Sequence, residues 1–218
     1  MADRANEPAL WRAARAAVLL AAVAVAGFGL VALMHEATRD DIAAAAHARQ
    51  LARFREVLAA TRFDNDLLAD VVELRDPELL GTTARARAWR ARLAGQPVAV
   101  VLEAVAPAGY SGPIELLVAI APDGKLLGVR VTGHHETPGL GDAIEARRSD
   151  WIEGFRGRSL GDPPPARWTV RKDGGDFDQF TGATITPRAV VGAVSNALAC
   201  FARHREELLA PPATIVPP

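Results

Sequence analysis

With 218 residues, 25 basic against 26 acidic side chains and a net charge of −1, the chain is long enough for one or two domains and lacks the basic surplus of a nucleic-acid binder. A single cysteine, Cys200, excludes an intrachain disulfide, and with no Cys-x-x-Cys or other cluster for zinc or iron–sulfur, no metal site is expected. Redox chemistry, if present, would then belong to a bound organic cofactor. Cys200 lies beside Phe201 in an apolar stretch, where a thiol behaves as a small buried hydrophobe.

Half of the residues are hydrophobic, and the N-terminal region takes a large share of them. From Ala16 to Met34 no side chain is charged. At 1.5 Å per residue a helix of that length is roughly 28 Å long, close to the thickness of a bilayer's hydrocarbon core. Arg4, Arg12 and Arg15 precede it, and a mixed to acidic stretch from His35 to Asp41 follows. The positive-inside rule places residues 1–15 in the cytoplasm, the span at 16–34, and everything after it outside. A cleaved signal peptide is the alternative, with Ala24-Val25-Ala26 as a cleavage-like site, although the apolar run is long for a signal core. Either reading exports the remainder.

Residues 35–93 read as a membrane-proximal helical segment, Ala-rich, with Leu51, Phe54, Val57 and Leu58 spaced by three and four. Phe63-Asp64-Asn65-Asp66 interrupts it with turn-forming residues. Arg85, Arg87, Arg90 and Arg92 surround Trp89, which reads as a solvated basic face or as a contact for anionic lipid or a partner. Three β-prone runs follow, Val98–Val105, Ile114–Ile120 and Leu126–Thr132, the last two joined by the Pro122-Asp123-Gly124 turn into a hairpin. An α+β domain with a mainly antiparallel sheet is expected.

Gly133-His134-His135-Glu136-Thr137-Pro138-Gly139-Leu140-Gly141-Asp142 comes next. Its two histidines and Glu136 are ligand types, but adjacent side chains of an extended segment point to opposite faces, and no further His or Cys stands at a completing distance. Pro138, Gly139 and Gly141 turn the chain, and Asp142 with Glu145 predicts a capping box for a helix running to Phe155. Trp168–Arg171 reads as a short strand.

Asp178-Gln-Phe-Thr181-Gly182-Ala183-Thr184-Ile-Thr186-Pro187 opens the last helix, predicted over residues 188–205 with Thr186 as N-cap and Pro187 in the first turn. Val190, Val191, Val194, Leu198 and Phe201 recur on one face. Gly182 and Ala183 leave the backbone accessible, and three threonines stand beside free N–H groups at the positive end of a helix dipole. Such a turn is either a plain cap or an anion site suited to phosphate. Residues 206–218, rich in proline, are expected to form a disordered tail.

Asp178-x-x-Thr181-Gly182-Ala183-Thr184 resembles the flavinylation motif of the FMN-binding domain shared by the G subunit of the Rnf electron-transport complex and the C subunit of the sodium-translocating NADH:quinone reductase. His134-x-Glu136-Thr137-Pro138-Gly139-Leu140-Gly141, the Gly109-Tyr110-Ser111-Gly112 loop and the Phe63–Leu68 segment resemble the same family. The resemblance implies an FMN-binding domain over residues 94–205, with FMN esterified through phosphate to Thr184. Asp178, Thr181, Gly182, Ala183 and Thr186 would surround it, and Glu136, Thr137, Gly139 and Leu140 would lie by the flavin. It further implies a single-pass protein of a bacterial inner membrane with its main domain in the periplasm. There it would transfer electrons among the membrane and iron–sulfur subunits of an ion-translocating ferredoxin:NAD oxidoreductase, without turning over a soluble substrate itself. Threonine is a weak nucleophile without a base, and the motif contains no histidine, so attachment implies a separate flavin transferase using FAD and magnesium. A membrane-anchored regulatory or sensory protein with the same domain, and a flavin-free structural subunit, are the rival readings.

Overall fold

The computed structural model describes residues 9–58 and 61–211. The chain divides into two units after Gln50. Helix α1, Ala9–Leu58, contributes to both: its first part is apolar and exposed on every face, and its last turns, from Leu51, belong to the second unit. Arg4 lies outside the described residues.

The second unit is built on one antiparallel meander of five strands: β1 (Val71–Leu74), β2 (Ala86–Leu93), β3 (Gln96–Ala106), β4 (Ile114–Ile120) and β5 (Leu126–Gly133). The short helix α2 (Pro77–Leu80) joins β1 to β2. After β5 come four single-turn 3-10 segments, then α3 (Ile185–Arg203) and α4 (Arg205–Leu209). The architecture is α+β.

Side chains alternate between the two sheet faces, and both faces are covered. Val100, Leu102 and Ala104 of β3 with Leu116, Val118 and Ile120 of β4 pack in one cluster with Val190, Val194, Leu198 and Phe201 of α3. On the opposite face Ala99, Val101, Leu117 and Ala119 pack with Phe54, Val57 and Leu58 of α1 and with Leu67 and Trp89. Double burial explains why β3 and β4 read as nearly continuous apolar runs without a polar alternate.

The strand runs expected at 98–105, 114–120 and 126–132 match β3, β4 and β5. The helical reading of 35–93 holds only to Leu58; β1 and β2 occupy its second half. Arg87 and Arg90 masked β2, because charged residues in a strand look like a solvated surface. The boundary placed at residue 94 falls inside the β2–β3 hairpin, whose two turn residues, Ala94 and Gly95, both take positive φ (50° and 78°) as a type I′ turn requires. A non-glycine residue at the first of them hides the turn from a sequence reading.

The arginines around Trp89 form no open basic patch. Arg85 pairs with Glu73, Arg87 with Glu103 while lying 5.1 Å from the Trp89 ring centroid, and Arg90 and Arg92 both pair with Asp70. Arg92 is buried and also donates to the Ala210 carbonyl at 2.6 Å. Asn65 bonds the backbone of β2 as a strand partner would, accepting from Arg92 N at 2.7 Å and donating to Arg90 O at 2.9 Å. The Phe63–Asp66 interruption thus covers β2 beyond the end of β1, leaving its backbone groups satisfied.

The helix expected from Asp142 to Phe155 is instead two 3-10 turns, Gly141–Ile144 and Asp150–Phe155. Asp142 accepts from Gly139 N at 2.8 Å, stabilising the preceding turn, and Ser149 caps the second segment. Trp168–Arg171 is not a strand: Val170 forms one isolated bridge to Phe177 before the 3-10 turn Arg171–Asp173. The tail also begins later than expected, since α4 runs to Leu209 and Leu208 is buried. Residues 212–218 lie outside the described residues.

Gly128 of β5 is where α1 comes closest to the sheet: a Cβ there would stand 2.5 Å from the Val57 carbonyl oxygen. Gly128→Ala should cost about 1–3 kcal/mol through this overlap, whereas Gly154→Ala, which meets nothing within 4 Å, should stay within about 0.5 kcal/mol. Urea midpoints of the two variants test the contrast.

Candidate functional site

Two loops meet at the N-terminal end of α3. In the first, Thr137-Pro138-Gly139-Leu140 is a turn closed by Leu140 N and Gly141 N on the Thr137 carbonyl, both at 3.1 Å, with proline preceding a glycine of φ 78° as a type II turn prefers. In the second, Phe180-Thr181-Gly182-Ala183 closes through Ala183 N on Phe180 O at 3.1 Å, with Gly182 at φ 82°. A Cβ on Gly182 would sit 3.7 Å from Leu140 Cδ2. The two motifs that are separated in sequence are therefore neighbours, with Thr137, Gly139, Leu140, Thr181 and Gly182 all exposed.

The tie between the loops is Glu136. It is only 4% exposed, with one carboxylate oxygen accepting from Ser111 N at 2.9 Å and the other from the hydroxyl of the fully buried Thr186. Glu136 therefore does not reach out to a ligand, contrary to the expected ring or ribityl contact; its charge is consumed in holding the 109–112 loop and α3 together. Thr186 is likewise not the N-cap. Its side chain turns inward to Glu136, and the cap position passes to Thr184, whose carbonyl accepts from Arg188 N at 3.3 Å. Glycines make the clasp possible: a Cβ on Gly141 would meet Glu136 Oε2 at 2.8 Å and Thr186 Oγ1 at 3.0 Å, and one on Gly109 would meet Gly112 O at 2.2 Å.

Thr184 itself is half-buried, with helical φ and ψ (−79°, −27°), and its side chain makes no capping hydrogen bond. The hydroxyl is uncommitted, next to the first N–H groups of α3, where the helix dipole favours negative charge. A phosphate linked there fits this chemistry. Ala183 is half-buried behind it. The Asp178 side chain points away, in an exposed ion pair with Arg171 at 2.9 Å, while its carbonyl accepts from Trp151 Nε1 at 2.8 Å. Trp151 also meets the Phe180 ring at 5.2 Å, which fixes the motif from below. Arg188 is held to Asp173 at 2.6 Å. Ser111 and Trp151, neither of them singled out, are the supports a sequence reading misses: one acts through a backbone N–H, and the other belongs to a 3-10 turn that looked like ordinary helix.

His134 is not a metal ligand here. Glu136 N donates to its Nδ1 at 3.0 Å, so Nε2 carries the proton directed to Glu145 at 2.7 Å. The Glu145 carboxyl is pulled down to about 2, first by the hydrogen bond from Arg147 and then by that from His134, against burial.

Residues 109–199 match the FMN-binding domain family, and residues 12–57 match the RnfG N-terminal region. The chain thus joins an apolar N-terminal helix to a flavin-binding class of domain. It is 53% identical to the G subunit of the ion-translocating oxidoreductase complex of Pseudomonas aeruginosa strain UCBPP-PA14, over 90% of this chain and 92% of that one. The corresponding proteins of Cereibacter sphaeroides ATCC 17029 (52%, covering 84% and 81%) and Escherichia coli K12 (51%, covering 83% and 86%) are also similar. The crystal structure of the C subunit of the Na(+)-translocating NADH-quinone reductase from Parabacteroides distasonis covers 69% of this chain and 73% of that one, at 22% identity and a TM-score of 0.43. The chain belongs to the family of ion-translocating oxidoreductase G subunits, and with α1 it is a membrane-anchored protein.

Thr186→Val should leave one buried Glu136 oxygen without a donor and lower stability by about 1–3 kcal/mol, read as a drop in the thermal midpoint. For Glu145 the folded carboxyl is a stronger acid than the ordinary 4.5, so its contribution is complete above that value and disappears as pH falls through about 2. Glu145→Gln should flatten the stability profile in that window.

Proposed function

We propose that this chain is the electron-transfer subunit of an ion-translocating ferredoxin:NAD oxidoreductase complex, carrying FMN through a phosphoester on Thr184 Oγ1. The observation that carries this reading is the free hydroxyl of Thr184 at the start of α3, beside two loops pinned by the buried Glu136–Thr186 clasp. The curated relatives, named as subunits of a multi-subunit complex, support partners among other membrane and iron–sulfur subunits.

Flavin bound there supplies reversible one- and two-electron transfer. The protein's part is to hold it. The N–H groups of the first α3 turn face the phosphate charge, a dipole term of about 0.3–1 kcal/mol at an exposed site. Gly182 and Gly139 keep the approach open, and Leu140, nearly half exposed, offers an apolar edge beside Gly182. Asp178, Thr181 and Ala183 shape the turn, Asp178 through its carbonyl on Trp151. A covalent tether keeps the cofactor at a fixed high local concentration where a dissociated one would be diluted away.

Thr184 has no hydrogen bond to a base, so a separate transferase using FAD and magnesium completes the protein. Residues 16–34 of α1 span the inner membrane once, with lipid around the exposed apolar side chains and the positive N-terminal end in the cytoplasm. The domain after it then lies in the periplasm.

Protein from native membranes, or coexpressed with its transferase, should run as a fluorescent band in denaturing gels, with the mass increment mapping to the peptide that contains Thr184. Thr184→Val should abolish the band while leaving thermal stability within about 0.5 kcal/mol, since the hydroxyl serves no other bond. An unmodified Thr184 in native material overturns the proposal.

A further inference from the structure

The C-terminal end of α3 carries chemistry that the flavin reading does not use. Cys200 and His204 are four residues apart and so share a helix face. Asp76, which precedes α2, meets them there: one potential ligand atom from each of the three residues lies within 4.8 Å of the others. His204 Nε2 and Asp76 Oδ2 are 3.3 Å apart. Two such atoms on one tetrahedral zinc-sized ion would be about 3.4 Å apart, from bonds of about 2.0–2.2 Å.

Part of this cluster has a purely structural explanation. Asp76 Oδ1 caps α2 by accepting from Leu79 N at 3.3 Å, and Oδ2 accepts from Arg203 Nη1 at 2.9 Å. Burial opposes ionisation of this carboxyl, but the Leu79 N–H, His204 and Arg203 together hold it below its usual range. The capping knot does not account for Cys200. Its thiol is completely buried at the edge of the charged cluster and makes no hydrogen bond among the described residues. Nor does it account for Glu207, whose carboxylate stands 3.7 Å from His204 Nδ1. A carboxylate behind the far nitrogen is the usual companion of a metal-ligating histidine.

We propose that Asp76, Cys200 and His204 form a binding site for a divalent transition ion of the zinc type, with Glu207 orienting His204 and solvent as the fourth ligand. The donor set of thiolate, imidazole and carboxylate suits zinc. Arg203 is more than half exposed and swings into solvent when the ion takes Asp76 Oδ2, replacing one positive charge by another. On binding, the Cys200 S–H bond breaks, the sulfur–metal bond forms and the proton leaves to solvent, with no change of oxidation state. Burial, reinforced by the Asp76 charge, pushes the free thiol up to about 12, so affinity rises with pH. The ion would fasten the α2 connection to the α3–α4 junction. The three ligands escape a sequence reading because Asp76 precedes His204 by 128 positions and only folding brings it in.

Titrating untagged full-length protein in detergent with cobalt(II) tests the site. A near-ultraviolet thiolate-to-cobalt absorption should saturate at one ion per chain, be displaced by zinc, and strengthen between about pH 6 and pH 8. Cys200→Ser should abolish it, and His204→Gln should weaken cobalt binding by about tenfold or more. No thiolate band from the wild-type chain, a band retained in Cys200→Ser, or undiminished affinity in His204→Gln each overturn the proposal. His204 is partly exposed, so its variant decides the matter if the serine variant does not fold. The readout is independent of flavin, and a chain with unmodified Thr184 reports on it equally.

Discussion

A buried carboxylate governs the arrangement of the site. Glu136 has its charge enclosed among a backbone N–H and a threonine hydroxyl, and an ionised group so placed is tolerable only while both partners remain. It therefore fixes three segments at once: the loop before β4, the loop after β5 and the first turn of α3. The small residues at 109 and 141 are conditions of that enclosure, since any side chain there would occupy the space of the carboxylate or of the loop around it. Thr186, by turning inward, also leaves the neighbouring Thr184 as the hydroxyl at the helix end that is available for chemistry. One internal charge thus selects which of the threonines can be modified.

The sheet supplies the platform. Because α1's last turns cover one face and α3 the other, the strands can be short and strongly apolar, and the loops that carry the motifs leave from a stiff base. Aromatic packing extends the support: Phe155 stacks with Phe177 at 4.8 Å, Trp168 lies 5.1 Å from Phe177, and Trp151 touches both Phe155 and Phe180. These rings sit in segments with little regular structure, which is why the 3-10 turns before α3 hold their shape without a helix or strand ladder.

Much of this was legible in the amino-acid order. Strands β3 to β5, the apolar helix, the buried Cys200 and α3 follow from periodicity and turn residues, and the family was visible in two short loops. The failures have physical causes. β1 and β2 carry arginines that pair with Asp70, Glu73 and Glu103, so tertiary ion pairs concealed a half-buried strand as a basic surface. Glu136 looked like a ligand contact because a loop carboxylate is exposed by default, and only the fold shows its enclosure. Thr186 satisfied every local rule for a cap, yet a tertiary acceptor outweighed the local one.

The meander has a temporal corollary. Every strand pairs with its sequence neighbour, so the platform is finished once the chain has reached Gly133, whereas the threonine at the head of α3 acquires its setting only when residues fifty positions apart have joined. A maturation enzyme that reads the shaped turn rather than the bare tetrapeptide would thus act as an inspector of completed folding, and nascent or misassembled copies would go without their prosthetic group.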